Sequence, residues 1–354
     1  MHMENVLTYV RFRKDIPFWR EPFNEADAVV FSILSYLDYT GLIEGKELLS
    51  SVALKYQKKL EAAGARTENS TLRLREDVLL EMINARRYQK VRMDNYLRDI
   101  SEKEKKTVYA ITFWLSAGKA IVAFPGTDNS MLSWKENFTY LYLFPAPGQV
   151  QCAAYLEGVL RKRFVKTIVI GHSKGGQLAV YAAMNAPNRL QNKIRQLYLF
   201  DAPGFVYDIN QRAEYRNLVG RIKSYVPEDC VIGNLNGMEY GTRTIIHSYD
   251  TGFGQHDINN WQITAHGIMR GETYSDFSIR TSEVFNRLVQ DVEEEMRETV
   301  VDELFDLLDS NGIHEMGDIN NMKLGKGIGL LLGYPKLSSH TKTLLKTLLK
   351  ELRN

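Results

Sequence analysis

The chain has few cysteines, no long apolar run and almost no net charge, and each absence excludes a class of protein. Its 354 residues include only two cysteines, Cys152 and Cys230, too few for a disulfide framework or a cysteine-rich zinc site. No apolar run approaches the ~18 residues that a transmembrane helix needs. Lysine and arginine total 45 against 43 aspartates and glutamates, so nothing indicates nucleic acid as the main partner. No histidine and carboxylate cluster has the spacing of a zinc site, and we expect no metal or organic cofactor.

The overall composition is that of an ordinary folded protein. Hydrophobic residues make up 44% and charged residues 25% of the chain. At roughly 150 residues per domain, the length predicts about two domains, or one large domain with additions. The first twenty residues mix charged and aromatic side chains, unlike a secretory signal. Two reduced thiols favour a cytoplasmic location, although one structural disulfide remains an alternative.

The spacing of apolar residues divides the chain into three zones. Residues 1–105 are predicted to form a helical N-terminal segment packed on the core, and Asn24 is predicted to cap one of its helices. Residues 106–275 alternate short apolar strands with helices, which predicts a mostly parallel sheet covered by helices on both faces. Residues 276–354 are predicted to be a helical C-terminal segment. We therefore expect an α/β core with helical additions at both ends.

The last zone is predicted to contain an acidic helix over residues 282–310 and a basic helix over residues 341–352. The basic helix carries leucines along one face, which favours packing on the body of the protein. A weaker alternative is that this face contacts a membrane surface or covers the active site.

The most specific motif is Gly171-His172-Ser173-Lys174-Gly175, which matches the G-x-S-x-G pattern of a nucleophile elbow. The apolar run Thr167–Ile170 precedes it as a predicted strand, and a helix rich in small residues follows. In such a turn the serine hydroxyl is exposed at the carboxyl end of a strand, so we predict Ser173 to be a nucleophile. The alternatives are an ordinary glycine-rich turn and a phosphate loop, but the phosphate-loop spacing is absent.

A nucleophilic serine needs a base, and three histidines follow it in the sheet zone. His256 lies in a loop just beyond the predicted strand Thr244–Tyr249, where the base of this fold belongs. His247 falls inside that strand and His266 lies farther along the chain, so both are weaker candidates.

The carboxylate that orients the base has two principal candidates. Asp229 follows the second strand after the nucleophile, which is the usual position, and we favour it. Asp201 ends the strand directly after the serine strand and is the alternative, with Glu228 a third choice.

Two backbone N–H groups are needed to stabilise the oxyanion. One is that of Lys174, the residue after the nucleophile. The other is predicted to be that of Thr127, in the loop after the strand Ala120–Phe124.

These motifs together resemble two families. Two segments resemble motifs of the fungal-type (class three) lipases. They are the elbow and the loop from Val122 to Asp128 with the Ser133-Trp134 that follows it. The whole chain is more similar to the Mbeg-like proteins, a bacterial family of unassigned function with an α/β-hydrolase fold. That similarity rests on Pro22-Phe23-Asn24-Glu25, Leu34-Ser35-Tyr36-Leu37-Asp38, Phe124-Pro125-Gly126-Thr127-Asp128, the elbow, Phe200-Asp201-Ala202-Pro203-Gly204, Val226-Pro227-Glu228-Asp229 and Gln255-His256-Asp257.

The resemblance implies an α/β-hydrolase fold with Ser173 as nucleophile, Asp229 as orienter and His256 as base, but it implies no substrate. The chain departs from the lipases at Pro125, which stands in place of arginine, and at Lys174, which stands in place of an apolar residue. The Lys174 ammonium would either favour an anionic substrate or point to solvent. We expect a serine hydrolase acting on an ester or other acyl bond of a small molecule or lipid. A non-catalytic binding scaffold and a serine peptidase are the alternatives.

Overall fold

The computed structural model describes residues 4–64, 66–313 and 334–351. Its centre is one eight-stranded sheet in which each strand lies beside the next one in the chain. The strands are β1 Glu47–Leu48, β2 Arg92–Ser101, β3 Lys106–Ser116, β4 Lys119–Phe124, β5 Lys166–His172, β6 Ile194–Phe200, β7 Ile222–Pro227 and β8 Thr242–Ile246. A small separate hairpin pairs β9, Ile263–Thr264, with β10, Gly267–Ile268.

The sheet changes direction at β4. Strands β1 to β4 pair antiparallel, whereas β4 to β8 pair parallel. Parallel neighbours bring all their carboxyl ends to one edge, where the loops after β4, β5, β6 and β7 meet. The fold is therefore the α/β-hydrolase fold that the sequence predicts, with the candidate residues on the loops of that edge.

The predicted boundary at residue 105 is wrong. Strand β2 and the short β1 come from the N-terminal zone, yet both belong to the central sheet. The sequence of β2, Arg-Met-Asp-Asn-Tyr-Leu-Arg-Asp-Ile-Ser, lacks a continuous apolar run because much of this strand remains exposed or half-buried. Strand β2 lies second in the sheet, and the short β1 covers only its first two residues, so β2 has no strong hydrophobic pattern.

Helices cover both faces of the sheet. The helices are α1 Val6–Arg13, α2 Glu25–Leu34, α3 Leu49–Ala62, α4 Ser70–Glu81, α5 Met131–Thr139, α6 Pro147–Leu160, α7 Lys174–Asn185, α8 Asn188–Gln191, α9 Ala213–Val219, α10 Asp276–Asp291, α11 Glu294–Asp309 and α12 Ser339–Glu351. Helix α2 packs on one face of β4 and β5, and α6 and α7 pack on the other face.

The core lies in two layers because side chains alternate along the strands. On β4, Ile121 and Ala123 face the layer built by the N-terminal helices, whereas Val122 and Phe124 face the layer under α6 and α7. This period of two is what a strand buried on both faces requires. The N-terminal helices therefore form one wall of the core.

Capping residues in the sequence mark the start of α2 and the end of α11. Asn24 caps α2 and exchanges hydrogen bonds with Asp27 in a capping box, which confirms the predicted helix start. The acidic helix predicted over residues 282–310 is instead two helices, α10 and α11, because the chain becomes extended at Val292 and Glu293. Helix α11 ends before Gly312, whose φ of +65° suits glycine.

The last helix, α12, packs against α10 and α11. Its predicted final residue, Leu352, lies outside the described residues. Within the described part of the chain, every helix is too short or too polar to cross a membrane. Cys152 and Cys230 are both buried free thiols.

Candidate active site

Ser173 occupies a sharp turn between β5 and α7. Its φ is +55° and its ψ is −130°, a conformation that non-glycine residues rarely adopt. The chain approaches itself closely on both sides of the turn. A Cβ at Gly175 would lie 2.0 Å from the Phe124 carbonyl oxygen, and one at Gly171 would lie 2.3 Å from the Gly175 oxygen. The G-x-S-x-G spacing therefore follows from sterics in this turn.

Three side chains form an unbroken chain of hydrogen bonds at the carboxyl edge of the sheet. Ser173 Oγ lies 2.8 Å from His256 Nε2, and His256 Nδ1 lies 2.6 Å from Asp201 Oδ2. Asp201 is almost completely buried, whereas the His256 side chain remains 26% exposed. The half-buried imidazole therefore bridges the buried Asp201 carboxylate and the Ser173 hydroxyl.

The prediction that Asp229 orients His256 is wrong, and the alternative Asp201 lies in that position. The cause is strand register: His172 pairs with Phe200 across β5 and β6, so the next residues, Ser173 and Asp201, leave the sheet side by side. Asp229 lies one strand farther away. Its carboxylate accepts hydrogen bonds from the Gly252 N–H and the Ser275 hydroxyl. Asp229 therefore joins the start of the His256 loop to the cap of α10.

The second oxygen of Asp201 is also satisfied. Asp201 Oδ1 accepts from the Cys230 thiol at 3.0 Å and from the Gly233 N–H at 3.0 Å. Burial opposes the charged carboxylate, but the hydrogen bond from His256 and then that from Cys230 outweigh it and lower the pKa of Asp201. Burial and the adjacent carboxylate raise the pKa of Cys230 far above that of a free thiol. Cys230 is therefore a neutral donor that helps to position Asp201.

The loop after β4 lies against the elbow. A Cβ at Gly126 would lie 2.8 Å from the Ser173 Cβ, so Thr127 follows at the edge of the site. Asn137 Nδ2 donates to Thr127 Oγ1 at 2.8 Å and steadies the loop. Neither the Thr127 N–H nor the Lys174 N–H makes a hydrogen bond within the described ranges. Both predicted oxyanion donors therefore have an unused N–H beside the elbow.

The Lys174 side chain neither faces solvent nor reaches toward a substrate, so both predictions for it are wrong. Its ammonium lies 2.6 Å from Glu136 Oε2, and both side chains are 1% exposed. The same ammonium also donates to the Thr107 carbonyl and hydroxyl and to the Ser133 hydroxyl. Since Glu136 and Ser133 lie on α5, this ion pair joins the elbow to the helix that follows the oxyanion loop.

His172 and Tyr36 form a second polar connection below the elbow. The Gly126 N–H donates to the Tyr36 hydroxyl at 2.8 Å, and that hydroxyl donates to His172 Nδ1. His172 Nε2 then donates to the His256 carbonyl oxygen at 2.9 Å, and the two imidazoles stack with centroids 4.9 Å apart. Burial and the neighbouring His256 lower the pKa of His172 to about 3, so this ring is neutral at pH 7. Tyr36 therefore couples the oxyanion loop to the position of His256.

The N-terminal helices also hold the loop that carries His256. The Thr71 hydroxyl on α4 donates to the carboxylate of Asp257 at 2.9 Å. Arg75, on the same helix, lies over the Tyr36 ring at 4.0 Å. The fully buried Trp261 indole donates to the Gln255 carbonyl at 2.9 Å. The N-terminal zone is thus part of the site's support.

The other candidate side chains for the base and the carboxylate, His247, His266 and Glu228, lie outside the hydrogen-bond chain of Ser173. His247 follows β8 directly and pairs through Nδ1 with Glu228 Oε2 at 3.0 Å, away from Ser173. His266 is exposed at the β9–β10 turn. Across the described ranges, no group of three or more His, Cys, Asp or Glu side chains is arranged to hold a metal ion.

Sequence reasoning missed Glu136, Cys230 and the role of Tyr36. Glu136 and Cys230 have no local signal, because their partners Lys174 and Asp201 are distant in the chain. Tyr36 lies in the motif Leu-Ser-Tyr-Leu-Asp, which contributes to the family resemblance. The motif does not indicate that the Tyr36 hydroxyl reaches the elbow.

The elbow sterics predict a contrast between two glycines. We expect Gly175→Ala to destabilise the protein by about 1–3 kcal/mol or more, because its Cβ meets rigid backbone. Gly158→Ala on α6, where a Cβ has open space, is expected to be neutral or to stabilise by up to about 1 kcal/mol. Urea unfolding measures both, and equal effects would contradict the steric explanation.

The buried ion pair predicts a strong response to removal of one partner. Lys174→Met leaves the Glu136 charge buried without its cation and is expected to cost about 3–5 kcal/mol of unfolding free energy. Lys174→Met combined with Glu136→Gln is expected to lose less, because no unpaired charge remains. A loss below about 1 kcal/mol in the single variant would show that the pair is not essential for folding.

The low pKa of His172 predicts acid sensitivity. Below about pH 6.5 His172 is protonated in the unfolded chain but not in the native state. The free energy of unfolding therefore decreases as the pH is lowered, by up to about 1.4 kcal/mol per pH unit. The contribution is fully present above about pH 6.5 and is lost toward pH 3. His172→Gln is expected to flatten the pH dependence of unfolding free energy by this amount, and an unchanged slope would rule it out.

Three solved structures share features of this fold at low sequence identity. It is similar to M37 lipase at 15% identity over 60% of this chain and 69% of that one, with a TM-score of 0.34. It is similar to a fungal lipase solved with an inhibitor at 14% identity over 72% and 93% of the two chains, with a TM-score of 0.36. Acetyl xylan esterase 1 from Thermoanaerobacterium sp. JW/SL YS485 matches at 13% identity over 46% and 82%, with a TM-score of 0.23. No curated protein matches the chain.

The family model that matches is that of the Mbeg1-like proteins, over residues 82–306. This range is more than half of the chain and contains Thr127, Ser173, Asp201 and His256. The protein therefore belongs to the Mbeg1-like family.

Proposed function

We propose that the protein is a serine hydrolase that cleaves an ester or another acyl bond. The observation that carries this proposal is the continuous hydrogen-bond chain from Ser173 through His256 to the buried Asp201. A serine is activated by a base within hydrogen-bond reach when a third group orients that base. The strained turn at Ser173 supports the proposal, because such strain is characteristic of functional sites.

In the first half of the proposed reaction, His256 Nε2 takes the proton of the Ser173 hydroxyl as Oγ bonds to the substrate carbonyl carbon. The carbonyl π electrons move to oxygen, and the Thr127 and Lys174 N–H groups stabilise the resulting oxyanion. Each such donor contributes about 3 kcal/mol to the transition state in related sites. Asp201 holds the imidazole in the tautomer with a proton on Nδ1 and stabilises the imidazolium.

The oxyanion then collapses and the bond to the leaving group breaks. His256 gives its proton to the departing alcohol, thiol or amine, and an acyl-serine remains. A water molecule, deprotonated by His256, attacks that acyl group by the same route and releases the acid and the free serine. These steps use only residues of this chain.

An ester of a small molecule or lipid is the substrate class that we propose first. The resemblance of the Val122–Asp128 loop to the lipase oxyanion motif supports it. A peptide bond is the alternative that uses the same residues. Two buried free thiols are consistent with action in the reducing cytoplasm.

Covalent labelling by a fluorophosphonate, read by intact mass, tests the proposal. We expect one label on the wild type and none on Ser173→Ala. Asp201→Asn is expected to slow labelling at least about a hundredfold, because loss of the orienting carboxylate lowers turnover by about 10⁴ in comparable triads. The matched variant Asp229→Asn is expected to stay within about tenfold of wild type, since Asp229 does not contact His256.

Each other result has a defined meaning. A folded wild type that is not labelled would overturn the hydrolase and favour a non-catalytic binding scaffold. Equal losses in the two aspartate variants would overturn the role of Asp201. Turnover of peptides without turnover of short acyl esters would show that the protein is a peptidase and not an esterase.

A further inference from the structure

The amino ends of the parallel strands carry a concentration of positive charge. Lys119 begins β4 and Lys166 begins β5, and the two are register partners, so two exposed ammonium groups lie on neighbouring strands. The loop before β5 adds Lys162 and Arg163. The basic surface consists of Lys46, Arg92, Lys119, Lys162, Arg163 and Lys166, all of them exposed.

Specific contacts make this surface continuous. Lys46 Nζ lies 3.7 Å and Lys162 Nζ 4.8 Å from the centroid of the buried Trp114 ring, so both ammonium groups gather around one indole. Arg92 pairs with Trp114 across β2 and β3 and donates to the Lys46 carbonyl. The Lys166 N–H donates to the Gly118 carbonyl at 2.9 Å, which joins the loop before β5 to the β3–β4 turn.

Little negative charge balances the basic surface. Asp94 lies 3.4 Å from Lys162, and for Lys46, Arg92, Lys119, Arg163 and Lys166 no ion pair forms within the described residues. Burial and the nearby Lys162 lower the pKa of Lys46. The whole chain has a net charge of only +2, so the positive charge is a local feature of this edge.

An exposed aromatic residue lies in the same loop as Lys162 and Arg163. Phe164 follows Arg163 and is 75% exposed, and its φ is +60°. A bulky residue in the left-handed region is strained, and glycine would adopt this conformation freely. The ring lies 4.7 Å from the Arg163 guanidinium.

Helix electrostatics account for only part of the charge. Helix α6 ends at Leu160, and cations just after a helix are favourable there because of its dipole. That explanation covers Lys162 and Arg163. It does not cover Lys46, Arg92 or the paired Lys119 and Lys166, nor the exposed Phe164.

We propose that the basic surface docks the protein on an anionic lipid bilayer, with the Phe164 ring inserted among the headgroups. Clustered lysine and arginine side chains bind anionic lipids, and an exposed aromatic ring beside them suits the headgroup layer. Single-stranded nucleic acid uses several successive rings along a groove, whereas this surface presents one.

The surface is separate from the candidate active site. Lys166 begins β5 and Ser173 follows its last residue, which puts about 20 Å of strand between them. A protein docked by the basic surface therefore directs Ser173 away from the bilayer and toward water. The membrane-docking proposal is independent of the proposed hydrolase activity and is tested separately.

Sedimentation of the full chain with vesicles tests the proposal. We expect binding to phosphatidylcholine vesicles that contain phosphatidylserine to be at least about tenfold tighter than to phosphatidylcholine alone, and to weaken at high salt. Arg163→Gln with Lys166→Gln is expected to weaken this binding about tenfold. The control pair Arg280→Gln, on α10, with Lys336→Gln, just before α12, removes the same charge elsewhere and is expected to bind like wild type.

Phe164→Gly separates docking from folding. Glycine relieves the positive φ, so the midpoint of thermal unfolding is expected to stay or rise while vesicle binding falls. Unchanged binding by Phe164→Gly would overturn the insertion of the ring. Equal loss in the control pair would overturn the basic surface as the docking site. A wild type that does not bind anionic vesicles, whether or not it binds a single-stranded oligonucleotide, would overturn the membrane partner.

Discussion

The parallel register between β5 and β6 is the constraint on which the candidate site depends. Backbone hydrogen bonds pair His172 with Phe200, and the Ser173 N–H itself donates to the Phe200 carbonyl at 2.9 Å. A shift by one residue would turn every side chain of a strand to the opposite face. It would also separate the Ser173 hydroxyl from the Asp201 carboxylate. The buried apolar faces of both strands prevent that shift, so core packing and site geometry have one origin.

Around this register, buried polar groups connect parts of the chain that are distant in sequence. The Lys174–Glu136 pair joins the elbow to α5, and the Tyr36–His172 hydrogen bonds join the oxyanion loop to His256. Such networks are costly when they lose one member, because a buried polar group without a partner is strongly unfavourable. They therefore favour one arrangement of the three loops that meet at Ser173.

The two ends of the parallel sheet differ in chemistry. At the carboxyl end, ionisable side chains are paired and largely buried, as in Asp201 with His256 and Lys174 with Glu136. At the amino end, cations are exposed and mostly unpaired, and Phe164 extends among them. This separation means that the proposed membrane contact and the candidate active site use different residues of one domain.

The sequence by itself determined the parts that depend on local patterns. The short apolar run Ala120–Phe124 predicts β4, and the small residues after Gly171 indicate the helix α7. The G-x-S-x-G motif with its flanking elements predicts the turn at Ser173. The position of His256 in a loop beyond β8 predicts that its side chain lies near Ser173. Each of these signals lies within a few residues, where sterics and periodicity act directly.

Only the tertiary structure decided which carboxylate meets His256, where the Lys174 ammonium lies and what Tyr36 does. The choice between Asp201 and Asp229 depends on strand register, and the burial of Lys174 depends on Glu136, which lies 38 residues earlier in the chain. Strand β2 escaped prediction because its residues alternate between exposed, half-buried and buried positions without a continuous apolar run. Long-range hydrogen bonds and ion pairs leave no periodic trace in the sequence, so these contacts are visible only once the chain is folded.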